Sequence, residues 1–316
     1  MSIKKKLLDL SCKDFAALFG ATEQEVRIYC RDLIAESDFR YRKLEKRERD
    51  AIILQVLKHI ESGKMIRTGE HRRSDWEKGW AENLREFIDS GYSIEKLTPK
   101  YFEKKLPIRL ERDYVIPISK DFLLNGVKVF RSWLFQRYLQ NVDTVYEFGC
   151  GSAQHLAFLA SLYPQKKLYG YDWARNSQRI IRLLVRRYGW SIQGGYFDFF
   201  NPDKTLKIKP RSAILTFGSL EQVGKDHGSF LKFLIKQSPA LCIHVEGLKE
   251  LYNQDYLLDY LALKYHNRRN YLSGYLTRLQ ELEKEGKIRI IKVHRQLFGN
   301  LFDDPHSYVI WKPKAK

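Results

Sequence analysis

One stretch constrains the fold of this chain more than any other. It runs Val145-Tyr146-Glu147-Phe148-Gly149-Cys150-Gly151-Ser152-Ala153 and continues, after a helix-length interval, into Leu168-Tyr169-Gly170-Tyr171-Asp172. The pattern is a buried strand, a glycine turn, a helix, and a second strand ending in a carboxylate. Two glycines at such a turn let the backbone approach a ligand where a side chain would collide. An acid at the end of the second strand is placed to accept hydrogen bonds from ribose hydroxyls. The dinucleotide fingerprint asks for a third glycine where this chain has Gln154. Glu147, at the end of the first strand, would repel a pyrophosphate and suit a ligand carrying positive charge.

A nucleoside bearing both an ammonium and a sulfonium is S-adenosylmethionine, and here the sequence resembles the class I S-adenosylmethionine-dependent methyltransferases. The family pattern is acid-x-Gly-x-Gly-x-Gly, then an acid ending the second strand, then an acid after the third. Glu147, Gly149 and Gly151 match the first part, with Ala153 in place of the third glycine. Asp172 matches the second part, and Asp198, within Gly195-Tyr196-Phe197-Asp198-Phe199-Phe200, the third. The resemblance spans residues 120 to 312. It implies that Glu147, Gly149, Gly151, Asp172, Asp198 and Phe199 bind the cofactor, with Phe199 packed on adenine.

From residue 142 strand and helix patterns alternate, which predicts a parallel sheet wrapped by helices. The expected strands are 144–148, 167–171, 192–197, 212–217 and 241–245, with helices at 154–163, 177–188 and 230–235. A helical stretch at 256–285 precedes 288–296 and 307–311, which resemble the family's closing antiparallel hairpin. The fold class is therefore α/β, a Rossmann-like, mostly parallel seven-stranded sheet with helices on both faces. A mainly helical N-terminal domain, residues 1–120, is expected to precede the methyltransferase domain, residues 121–316, and to serve as an acceptor-binding lid.

Within that first part, Ser11 and Thr22 read as helix caps flanking Gly20. The segment 15–26 looks like a helix–turn–helix, but Glu23, Gln24 and Glu25 in its second helix would repel phosphate, which favours a plain helical hairpin. Ile52, Ile53, Val56, Leu57 and Ile60 recur at helical spacing in a third helix. Trp76 and Trp80 lie one turn apart among charges, and Arg72 or Arg73 beside them is a candidate grip on an anionic acceptor. Pro99, Pro107 and Pro117 suggest a loop-rich crossing to a helix at 130–139.

No apolar run is long enough to span a membrane, and the basic start lacks a signal peptide's apolar core, so a cytoplasmic protein is expected. Cys12, Cys30, Cys150 and Cys242 form no Cys-x-x-Cys pair, and no metal-ligand set is evident. The net charge is +18, with 29 basic and 22 acidic residues in 1–140 and 27 and 16 in the remainder. Such a field attracts acidic glycans, nucleotide-linked sugars and nucleic acid.

The acceptor should face the ends of the fourth and fifth strands, where Glu221, His244 and Glu246 are the available bases. His266 and Arg269, on a following helix, offer contacts to sugar or phosphate. An Asn-Pro-Pro-Tyr-like element, which holds amino groups in many nitrogen methyltransferases, is absent after strand four. That points to an oxygen acceptor. The expectation is O-methylation of a small polar or glycan-linked sugar; the alternative is an RNA methyltransferase whose helical first half binds tRNA or rRNA.

Overall fold

The computed structural model describes residues 6–99 and 107–314. Its centre is a seven-stranded sheet whose strand order turns around one strand. The first part of the chain gives β1 (Leu7–Asp9), α1 (Cys12–Phe19), α2 (Glu23–Ala35), β2 (Arg40–Lys43), α3 (Lys46–Glu61) and α4 (Arg73–Asp89). Then follow β3 (Ile108–Leu110), β4 (Asp113–Pro117) and the long α5 (Phe122–Leu139). The alternating part is β5 (Thr144–Phe148), α6 (Gln154–Leu162), β6 (Lys167–Asp172), α7 (Arg175–Tyr188), β7 (Ile192–Tyr196) and β8 (Ala213–Phe217). After α8 (Gly228–Gln237) and β9 (Leu241–Glu246) come α9 (Leu257–Arg269), α10 (Tyr275–Lys284), β10 (Ile288–His294), β11 (Phe298–Gly299) and β12 (Ser307–Pro313).

In the large sheet the order is β10-β12-β9-β8-β5-β6-β7. The chain moves outward from β5 through β6 to β7, then returns to β8 on the other side of β5. The pairs β5–β6, β6–β7, β5–β8 and β8–β9 are parallel, while β12 runs antiparallel between β9 and β10. Every residue of β5 is buried, as a parallel strand covered on both faces requires. The reversal of direction beside β5 opens a crevice at the carboxyl ends of β5 and β8.

The first part of the chain is not helical alone. Strands β1, β2, β4 and β3 form a second sheet, completed at its edge by β11 from the far end of the sequence. The β3–β4 hairpin turns through Glu111 and Arg112, both at positive φ (50° and 63°). Two-residue hairpins need that conformation, and Asn-Gly is its usual sequence signal. Neither residue carries that signal, so the later part of the expected loop-rich crossing is a hairpin, while its residues 100–106 lie outside those described. The caps at Ser11 and Thr22 form as expected, each as a reciprocal capping box with Asp14 and Glu25. Helix α5 is buried nearly all round, because it lies in the core that joins the two sheets. Phe19, Trp133, Phe298 and Tyr308 belong to one apolar cluster with Val145 and Leu156. Helix α3 turns Ile53, Val56 and Ile60 toward Leu258 and Leu261 of α9. On α7 Ile180, Ile181 and Leu184 are buried, while Arg179, Arg182, Arg186 and Arg187 are exposed. Among the described residues no helix is long and apolar enough to cross a membrane.

One buried charge network ties the small sheet to the C-terminal segments. Arg109 of β3, fully buried, donates to Asp304 at 3.2 Å and to the Leu258 carbonyl at 2.9 Å. Arg295 donates to Asp304 at 2.9 Å and to Asp259 at 2.6 Å. Removing one member strands the opposing charges in a water-free site. Arg109→Met is therefore expected to lower unfolding stability by about 3–5 kcal/mol, read from urea denaturation. A loss below about 1 kcal/mol, as for an exposed pair, would contradict this account of the network.

Candidate functional site

The glycine turn follows β5 directly, and the carboxylate of Asp172 holds it in place. The Gly151 amide donates to Asp172 Oδ2 and the Ala174 amide to Oδ1, both at 2.8 Å. The Gly149 and Cys150 amides both donate to the Tyr171 carbonyl, at 2.7 and 3.1 Å. Gly149, Gly151 and Ala153 all have positive φ (73°, 51° and 59°). The first two positions favour glycine, and a Cβ on Gly149 would sit 2.4 Å from Ser219 Cβ. Ala153 adopts the left-handed conformation without that freedom. Burial pushes Asp172 up to about 6, against the hydrogen bonds from Ala174 and Gly151 that stabilise its charge.

This turn forms one wall of a cleft with about 950 Å³ of empty space, part of it open to solvent. Beside the turn the wall includes Gly149, Cys150, Gly151, Asp172, Trp173 and Phe199. Glu147 stands behind the turn and is not part of the wall. It is 1% exposed and its Oε2 atom has no partner. Burial holds Glu147 well above the usual carboxylate range, with the Arg131 charge opposing that shift. Asp198 is also buried behind the wall, accepting from Arg73 at 2.7 Å and from the Phe200 amide at 2.9 Å.

The first part of the chain closes the cleft from above. Trp76 and Trp80 of α4 stack with ring centroids 5.6 Å apart, and both line the cleft. A Cβ on Gly151 would lie 2.6 Å from the Trp80 ring. Glu77 accepts from the Arg175 and Asn176 amides at the start of α7, at 2.7 and 3.1 Å, where the helix dipole favours an anion. The Ser152 hydroxyl donates to the Leu97 carbonyl at 2.6 Å.

Both arginines expected to grip an acceptor have partners within the chain. Arg72 pairs with Asp75 at 2.6 Å, and Arg73 pairs with Asp198 while its guanidinium lies over Trp173. Among the described residues no lysine or arginine lines the cleft, and Asp172 is the carboxylate in its wall. An anionic acceptor, expected from the net charge, thus meets no cation among these residues.

The other candidate bases are drawn into structural roles. His244 is fully buried, with Nδ1 and the Thr216 hydroxyl 2.9 Å apart and its ring against Trp311 and Tyr275. Burial lowers it to about 3. Glu246 accepts from the Leu220 and Glu221 amides at 3.1 and 3.0 Å, fastening the turn after β8. Burial raises it to about 7. Glu221 is pushed well above the usual carboxylate range by burial and then by Glu246. His266 hydrogen-bonds Asp303 at 2.9 Å, and Arg269 donates to the Tyr271 hydroxyl at 3.1 Å. None of these five side chains lines the cleft.

The cleft brings together three polar side chains that sequence reasoning did not single out, His155, Gln222 and His306. His155 lies in the first turn of α6. His306 immediately precedes β12, and because β12 is antiparallel its beginning reaches the same sheet edge as the ends of β5 and β8. That strand polarity was the one signal pointing to His306.

No family model matches the sequence, and no curated protein matches it significantly. Solved structures similar to this one include the methyltransferase domain of bacterial CtHen1-C, at 16% identity and a TM-score of 0.43, covering 58% of this chain and 94% of that one. PigF with SAH is similar at 18% identity and a TM-score of 0.41, covering 60% of this chain and 59% of that one. The plantazolicin methyltransferase BpumL in complex with SAH is similar at 14% identity and a TM-score of 0.41, covering 78% and 99%. These likenesses are distant, and the functional reading below comes from the cleft's own residues.

The tight seating of Trp80 on the turn gives a direct check. Gly151→Ala is expected to cost about 1–3 kcal/mol through its positive φ and to displace Trp80, shifting tryptophan emission to the red. Unchanged stability and emission would show that α4 does not rest on the turn.

Proposed function

We propose that this chain is an S-adenosylmethionine-dependent methyltransferase acting on an oxygen of a small polar acceptor. The observation that carries the reading is the charge of the cleft wall: among the described residues it holds one carboxylate, Asp172, several aromatic faces, and no lysine or arginine. A diphosphate would place its negative charges near Asp172 with no cation to offset them. A sulfonium instead finds aromatic faces that attract cations. The chain's features fit that cofactor. The turn leaves no room for a Cβ at Gly149, and Asp172 retains lone pairs for ribose hydroxyls beyond the amides it already accepts. Phe199 offers a face for adenine.

When bound, this cofactor supplies an electrophilic methyl group on a positively charged sulfur. The protein's own part is then alignment, exclusion of water and removal of a proton. Trp76 and Trp80 of α4 wall part of the cleft with apolar surface that excludes water on that side. His306, neutral at pH 7 because burial lowers it to about 4, is a hydrogen-bond partner in the wall for the acceptor hydroxyl. The chain after β8 reads Phe217-Gly218-Ser219-Leu220, without the element that holds flat amino groups, and this favours oxygen over nitrogen. A sugar or glycan hydroxyl belongs to that acceptor class.

RNA as acceptor is the second reading, favoured by the exposed arginines of α7. Its signature is tRNA retention that weakens steeply with salt.

For the leading reading, Asp172→Ala should abolish binding of S-adenosylhomocysteine in calorimetry. In the wild type, affinity should be full above pH 6 and fall below it, because protonation of Asp172 removes the ribose acceptor. Undiminished affinity in the variant, or a flat pH profile from 5 to 8, would contradict the assignment.

A further inference from the structure

One end of the cleft is walled by buried polar atoms that have no partner among the described residues. They are His155 Nδ1, Gln222 Oε1 and His306 Nδ1. Both histidines are 6% exposed, so bulk water does not satisfy them. Phe217, at the end of β8, joins the set: its ring stacks on His155 at 4.3 Å and meets His306 at 5.5 Å. A buried polar atom left unpaired is costly, so three converging on one space mark a place built for a hydrogen-bonding ligand.

Charge narrows what that ligand is. Burial, then Arg131 and His306, hold His155 well below its ordinary value, and burial lowers His306 against the pull of Asp303. Both rings are therefore neutral at pH 7. Arg73 pairs with Asp198, Arg269 bonds Tyr271, and Arg131, whose charge acts on His155, packs over the Phe158 ring and is not part of the wall. A phosphate or carboxylate entering this end would shed its hydration and find no cation among the described residues that line it.

Resting on the cofactor reading above, we infer that the acceptor is an uncharged ring compound bearing a hydroxyl, seated with an apolar face on Phe217 and hydrogen-bonded by His155, Gln222 and His306. Nucleotide-linked sugars, phosphorylated sugars and the phosphate backbone of nucleic acid are excluded from this end. The ring can be aromatic, or a sugar presenting its C–H face, since both offer one flat apolar side and a hydroxyl.

Calorimetry on the full chain tests this in two stages. S-adenosylhomocysteine is titrated first; its failure to bind overturns the cofactor reading and this inference with it. The saturated complex is then titrated with 2-naphthol, methyl glucoside and 2-naphthyl phosphate. The expected result is that a neutral probe binds, and the better of the two identifies an aromatic or a sugar acceptor. Naphthyl phosphate should bind at least about tenfold more weakly than that probe. Gln222→Leu and His306→Phe should each weaken the neutral probe about tenfold while leaving S-adenosylhomocysteine affinity unchanged, which also shows that the variant is folded. Should His306→Phe not fold, Gln222→Lys replaces it, and its new cation should raise naphthyl phosphate affinity. With the cofactor product bound, the inference is overturned if neither neutral probe binds, if naphthyl phosphate binds as tightly in the wild type, or if the substitutions change nothing.

Discussion

A single carboxylate organises the α/β half of this molecule. Asp172 ends β6 with both oxygens occupied by backbone amides, one from the turn after β5 and one from the start of α7. Two strands and two helix starts are thereby locked to one another at the edge where the sheet order reverses. The bonds are charge-assisted and buried, which makes each stronger than a neutral equivalent. The same burial raises the carboxyl to about 6, so the group that holds the turn also answers to mild acid. Structure and proposed ribose recognition meet in one side chain.

The first part of the chain is built into that arrangement. Trp80 rests on Gly151, Glu77 takes the amides at the start of α7, and the Ser152 hydroxyl is bound by the Leu97 carbonyl. Below them, α5 shares one apolar cluster with both sheets, and β11 returns from the far end of the sequence to complete the smaller one. The Arg109–Asp304–Arg295–Asp259 network fixes the loop ahead of β12, and that loop carries His306 to the cleft. The position of His306 at the cleft therefore depends on contacts made far from it.

What was legible in the sequence was local. Thr144–Phe148, Lys167–Asp172 and Leu241–Glu246 are strands bounded by glycine and acid, and their limits fall close to those expected. The glycine turn was legible because its conformational demand is written into adjacent residues. The short strands Leu7–Asp9 and Arg40–Lys43 were not, since three or four residues rich in charge carry no alternating pattern. His244 and Glu246 do share a strand face, as their spacing requires. In a sheet covered on both sides, however, a shared face does not mean a shared cleft. His155, Gln222 and His306 lie far apart in the chain and meet only through strand order, so no motif announces them. The net charge is not carried into the cleft by Arg72 or Arg73, which pair with Asp75 and Asp198, and the arginines of α7 face outward.

The most direct test of this account is a co-crystal structure with S-adenosylhomocysteine. It should place the nucleoside between Asp172 and Phe199, the ribose hydroxyls on the Asp172 carboxylate, and the amino acid tail along Gly149–Gly151. A cleft that stays empty in the presence of that compound, or one that takes an adenine dinucleotide in its place, would contradict it.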